Sequence, residues 1–200
     1  MADFLMVDLK NSFNHKLFGT YDGDFWDYEK MMIDQYNLLN IGATTHMIHP
    51  DLLPASSECI NINGIPFTFP DKSINLYDNI SCENQLISIV EGKFQALHLL
   101  GMSEWGNICE SIRLNYSDNN SESIDIAFRD WNPIGNTSWK YDEMQAQCSS
   151  AFSVEDNIGI KKHFYLHSLS ILSKDKFLNS IELPFNPSIH ILAISLTISI

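Results

Sequence analysis

The sequence predicts an all-β fold of antiparallel strands, a sandwich or a barrel, with at most one or two short helices. Three observations predict it. Apolar and polar residues alternate with period two between turn-forming clusters along most of the chain. The composition is 44% hydrophobic and 12% aromatic with only 18% charged residues, which is the balance of a packed core and not of a disordered chain. Helical patterning is thin, confined to residues 27–40 and 139–149. At 200 residues the chain can bury a substantial core, and no repeat, low-complexity tract or linker divides residues 1–200, so one domain is expected.

Taken in order, Cys59 to Ile62 and Ile65 to Phe69 read as two short strands around Asn63-Gly64, a pair that tolerates the positive φ angles of a two-residue hairpin turn. Pro66 lacks a backbone donor, which places its strand at an edge or a bulge. Gln95 to Gly101 is nearly continuous in apolar residues, as a central strand is. Ser111 to Tyr116 and Ser123 to Phe128 alternate cleanly on either side of a polar linker, Ser117 to Ser121, and form a hairpin. Phe164 to Leu172 is a further strand, with residues 159–163 as its extension. Asn179 to Leu183 and Ile189 to Ile200 close the chain around a Pro184-Phe185-Asn186-Pro187 turn.

Charge narrows the partners. The chain carries 25 acids against 12 bases, a net charge of −13, and no basic run longer than Lys161-Lys162. Nucleic acids and anionic membranes need a basic stripe, so neither is an expected partner. Cys59, Cys82, Cys109 and Cys148 are far apart and form no CxxC pair, so all four read as free thiols. Met1 to Asp8 has neither a basic region nor an apolar stretch of signal-peptide length, and no apolar run reaches the length of a membrane span. The default expectation is cytoplasmic, or secreted if a leader has been removed.

Four stretches carry a family likeness. They are Phe18 to Tyr28, aromatic and acidic; Gly64 to Phe69 with Asp78-Asn79-Ile80; Leu97 to Gly101 with Phe128-Arg129-Asp130-Trp131; and the closure from Ile181 to Ile194. In this order they resemble the galactose-binding-like, jelly-roll β-sandwich domains attached to bacterial glycoside hydrolases and other carbohydrate-active surface proteins. The resemblance implies two stacked antiparallel sheets and a carbohydrate or similar polar ligand.

Two constellations suit such a ligand. Asp22, Asp24, Trp26 and Tyr28 pair carboxylates with flat aromatic faces, the combination that binds sugar hydroxyls and sugar CH faces; a surface turn with its aromatics in the core fits the same residues. Asp22, Asp24 and Asp27 together also suit a Ca²⁺ ion, although the twelve-residue loop pattern is absent. Trp105, Trp131 and Trp139 form the second group, with Glu104 and Asp130 beside them just past two strands. If both strands share a sheet, their ends meet at one rim, where loops often bind ligands. A Glu104/Asp130 pair held close would serve general acid–base chemistry; Trp131 as a core plug with Asp130 capping a turn is the alternative.

His46 and His49, in a loop before Pro50, could both reach one ion, and His163 and His167 are too separated to chelate without a third element; a single pair does not make a metal site. Nucleophile-elbow, phosphate-loop, dinucleotide and His-Glu-x-x-His signatures are absent. The expected function is therefore a carbohydrate- or polar-ligand-binding module. The alternative is a small stand-alone enzyme of cyclase or isomerase type using carboxylate acid–base catalysis. A third expectation is a homodimer through a sheet edge near Ile189 to Ile200.

Overall fold

In the computed structural model, residues 2–17, 50–73, 77–131, 148–155 and 161–199 are described. They contain twelve strands in chain order: β1 (Phe4–Val7), β2 (Cys59–Ile62), β3 (Ile65–Thr68), β4 (Ile80–Glu83), β5 (Leu86–Gly92), β6 (Phe94–Ser103), β7 (Ile108–Tyr116), β8 (Ser121–Phe128), β9 (Cys148–Glu155), β10 (Lys161–Ser170), β11 (Leu178–Glu182) and β12 (Phe185–Ile198). The one helical element among the described residues is a 3₁₀ turn, Pro50–Leu52. Every strand pair is antiparallel. The protein is an antiparallel β-sandwich.

The large sheet runs β1-β12-β6-β10-β9, with β4 also on β12, and the second sheet runs β5-β11-β7-β8. The β2–β3 hairpin makes a separate two-stranded sheet, an addition to the two sheets read from the sequence. Its turn is Asn63-Gly64, with φ of 54° and 86°, the left-handed region the pair was expected to occupy. Pro66 faces Asn61 in that ribbon, where a missing donor costs little.

Strand β6 shows why an apolar run becomes the centre of a sheet. Leu97 and Leu99 point to one face and His98, Leu100 and Met102 to the other, and all five are buried. On the first face β10 brings His167 to 6.0 Å from the ring of Phe128 on β8, where the two sheets stack. On the second face lies the β2–β3 hairpin. Phe69, just past β3, meets Phe152 of β9 at 6.3 Å, and Phe152 stacks on Phe164 of β10 at 4.6 Å. Burying Phe67, Phe69, Phe128 and Phe164 stabilises the fold by about 1.5–3 kcal/mol each.

Two expectations need correction. The sheet edge expected near Ile189 to Ile200 is not one, because β12 lies between β6 on one side and β1 and β4 on the other. The Pro184 to Pro187 segment is not a free turn, because β12 already begins at Phe185, pairing Phe185 with Glu83 and Asn186 with Cys82. Pro187 falls where that register shifts, between Asn186 and His190, so its missing donor interrupts no regular ladder. The helical stretch 27–40 lies outside the described residues, as does 139–149 up to residue 147; Cys148 and Ser149 open β9.

Candidate functional site

The site forms where β6 runs out. Ser103 ends the strand and binds the first loop to the second sheet: its N–H donates to Arg129 O (3.0 Å), and Trp131 N–H donates to its carbonyl (2.9 Å). Its hydroxyl is shared between Gly106 O (2.7 Å) and Phe128 O (3.0 Å). The chain then bends through Glu104, Trp105 and Gly106, with φ of 65° at Trp105 and 128° at Gly106. A left-handed tryptophan is a steric outlier, and it sets the indole out at 68% exposure beside a glutamate that is 2% exposed.

Glu104 is aimed inward. Its N–H donates to Ser188 O at 2.8 Å, which carries the β6–β12 ladder one step past the strand end. His190 faces Met102 across that ladder, so Glu104, two residues on from Met102, projects on the same side as His190. The carboxylate lies 3.7 Å from His190 Nε2. Among the described residues neither Glu104 oxygen has a hydrogen-bond partner, and nor has His190 Nε2.

Behind His190 lies a chain of polar groups. Its Nδ1 is 2.8 Å from Asn79 Oδ1. Asn79 Nδ2 donates to Asp78 Oδ1 (3.0 Å) and to His15 O (3.1 Å), and Asp78 Oδ2 pairs with Lys16 Nζ at 2.8 Å. Backbone bonds between residues 14–15 and 78–79 form an isolated bridge, His15 with Asn79, that holds the assembly together. The His15 ring lies 4.9 Å from that of His190. Burial, then the neighbouring His190, pushes His15 down to about 3, against its contact with Asn79, so this ring is neutral at ordinary pH. Burial raises the Asp78 carboxyl, and Lys16 opposes the rise.

Trp131 borders the site from the second sheet. It is buried, and the Lys162 ammonium sits 4.7 Å from its ring centroid. Its carbonyl accepts the N–H of His163 at 2.8 Å, so this residue ties β10 to the end of β8.

The residues expected from the sequence are distributed as follows. Glu104, Trp105, Asp130 and Trp131 do come together, although β6 and β8 belong to different sheets; the parallel bridge Ser103–Asp130 joins them. Glu104 faces His190 Nε2 at 3.7 Å, and Asp130 contributes its backbone, with N–H to Asn107 Oδ1 (3.0 Å) and O from Tyr165 Oη (3.3 Å). Asp22, Asp24, Trp26, Asp27, Tyr28, His46, His49 and Trp139 lie outside the described residues. His163 and His167 share β10 without a third ligand, and among the described residues no three His, Cys, Asp or Glu side chains gather to hold a metal. All four cysteines are free. No helix among the described residues is long and apolar enough to cross a membrane.

Sequence reasoning missed His190, Asn79, Asp78, His15 and Lys16 as a group. A signal did exist for two of them. His190 interrupts Ile189-Ile191 in an otherwise buried strand, and Asp78-Asn79 directly precedes Ile80. Polar residues at positions the pattern marks as interior must find partners, and these found one another.

No curated protein shows a sequence match to this chain. Residues 27–199 match the AziU2-like beta-sandwich domain, a span that includes Glu104, His190, Asn79 and Trp131. The chain belongs to the AziU2-like beta-sandwich domain family.

Proposed function

We propose that the protein is a small enzyme of cyclase or isomerase type in which Glu104 and His190 move a proton on a polar small molecule. The observation that carries this reading is the Glu104 carboxyl, buried with neither oxygen hydrogen-bonded among the described residues and 3.7 Å from a His190 Nε2 that is equally unbonded among them. A carboxylate buried in this way costs several kcal/mol, and such groups are kept where they have chemical work. A carboxyl group and an imidazole nitrogen that face each other can pass a proton between them. An acid and a base thus stand one proton transfer apart.

The test is solvent-deuterium incorporation. A panel of hydroxy acids, amino acids and sugars is incubated with the protein in D₂O and read by mass spectrometry. Wild type labels at least one compound, and Glu104→Gln and His190→Gln label none. Labelling that survives both substitutions overturns the reading.

A second reading, the carbohydrate- or polar-ligand-binding module of galactose-binding-like type, is favoured by Trp105. Its exposed indole offers a sugar the aromatic face that sugar binding uses. Titration with a glycan panel, followed by tryptophan fluorescence, decides it; a flat response across the panel removes it.

A further inference from the structure

The proton-transfer pair needs one nitrogen of His190 kept free of hydrogen, and the hydrogen-bond network specifies which. Asn79 is the deciding residue. Its Nδ2 donates to two oxygens, Asp78 Oδ1 at 3.0 Å and His15 O at 3.1 Å, and also lies 3.4 Å from His15 Nδ1. Turning the amide over would set its carbonyl oxygen against both of those oxygens. Asp78 cannot turn away, because its Oδ1 also accepts Leu17 N–H at 2.8 Å and its Oδ2 holds Lys16 Nζ at 2.8 Å. The amide orientation is therefore fixed from behind.

With Nδ2 committed, only Oδ1 faces His190, and an amide oxygen accepts without donating. The 2.8 Å contact therefore requires a hydrogen on His190 Nδ1. A neutral imidazole carries one ring hydrogen, so Nε2, the atom 3.7 Å from Glu104, presents its lone pair. We infer that Asn79, backed by Asp78 and Lys16, is a positioning residue that locks His190 in the Nδ1–H tautomer and makes Nε2 the proton-exchanging atom of the Glu104 site. This rests on the proton-transfer reading above and adds to it the orienting member and the ring atom that exchanges the proton. The logic is that of any base oriented by a third group: the orienter takes no proton and holds the ring in the useful tautomer.

The experiment is nitrogen NMR on protein labelled with ¹⁵N-histidine, read in Glu104→Met. That variant removes the buried carboxylate, and the spectrum is recorded in alkaline buffer so that the tautomer of the neutral ring is visible directly. The expected spectrum shows a protonated, pyrrole-type Nδ1 and a pyridine-type Nε2. Adding Asn79→Ala should move the population toward Nε2–H. Nε2–H in Glu104→Met, or an unchanged tautomer after Asn79→Ala, overturns the inference; should the double variant not fold, the single-variant spectrum decides alone.

In otherwise wild-type protein, Asn79→Ala should lower kcat for whichever compound the deuterium panel identifies by about 10²–10⁴-fold, the span of a general base, with KM held. A panel that labels nothing removes the proposed function and leaves the tautomer measurement to stand or fall by itself.

Discussion

Gly101 and His190 are packed so closely that a β-carbon on Gly101 would stand 2.3 Å from the His190 carbonyl oxygen. The central strand approaches β12 at that point with no room for any side chain, one residue before the extra residue that shifts the register after Ile191. Gly101→Ala must push β12 away or distort β6. We expect a loss of about 1–3 kcal/mol in urea unfolding, together with a displaced His190 ring signal. An unchanged midpoint would mean that the strands separate freely here.

His15 contributes to the acid response. Its folded value of about 3 lies below the unfolded 6.5, so between these limits the unfolded chain binds the proton and the folded one does not. Stability therefore falls as pH drops from 6.5 toward 3, by up to about 1.4 kcal/mol per pH unit. Asp78, raised by burial, has the opposite sign: above 3.8 the folded carboxyl holds its proton longer than the unfolded one, which favours the folded state as pH falls. Urea midpoints measured across pH 3–7 in wild type and His15→Asn separate the two. The variant should fall less steeply with acid, keep the same-sign contributions of His98 and His163, which burial also lowers, and retain any Asp78 contribution.

Glu122 is a test of a purely structural carboxylate. It accepts the N–H of Leu172 (2.9 Å) and of Ser173 (3.0 Å) and the phenol of Tyr116 (2.8 Å), so β8 holds the chain that leaves β10. Burial works to raise this carboxyl, but these three donors outweigh it and hold it below the usual range, while burial and the same contact raise the Tyr116 phenol. Glu122→Ala should cost about 1–3 kcal/mol and expose the Leu172 and Ser173 amides to hydrogen exchange. The contribution is present above the ordinary glutamate value and disappears as pH falls through the depressed one. Unchanged exchange at these two amides would contradict the anchor.

How much of this was legible depends on how local each cause is. The Asn63-Gly64 hairpin was readable because two adjacent residues specify the turn. Strand β6 was readable because burial on both faces leaves a continuous apolar run. The start of β12 was not, since Asn186-Pro187 looks like a turn until Cys82 and Glu83 arrive from β4 to pair with it. Within the site, Glu104 and Trp105 stood out as an acid and an aromatic just past a strand. The His190–Asn79 contact spans 111 positions, and periodicity along one chain carries no information about such pairs.

Trp131 should be among the costly core substitutions. Its indole is buried, its ring faces the Lys162 ammonium at 4.7 Å, and its backbone bonds join Ser103 to His163. Trp131→Ala should cost about 3–5 kcal/mol, and Trp131→Phe clearly less because a ring face remains for the ammonium. Thermal or urea unfolding of both variants checks this. Equal losses would mean that the ring face contributes nothing beyond volume.

Trp105 offers the opposite behaviour. Its indole is 68% exposed, so little packing is lost with it, while its φ of 65° is one that a side chain disfavours by about 1–2 kcal/mol. Trp105→Gly relieves that strain, although glycine also gains freedom in the unfolded chain, which offsets part of the gain. The expected net is a stability equal to or up to about 1 kcal/mol above wild type. Trp105→Ala removes the same ring and keeps the strain, so it should be no more stable than wild type. Should both variants stay folded and lose the same ligand or substrate response, the indole itself is the recognition element, and the strained bend is the cost of presenting it beside Glu104. Two variants that keep the full response would leave the left-handed tryptophan without a role at the site.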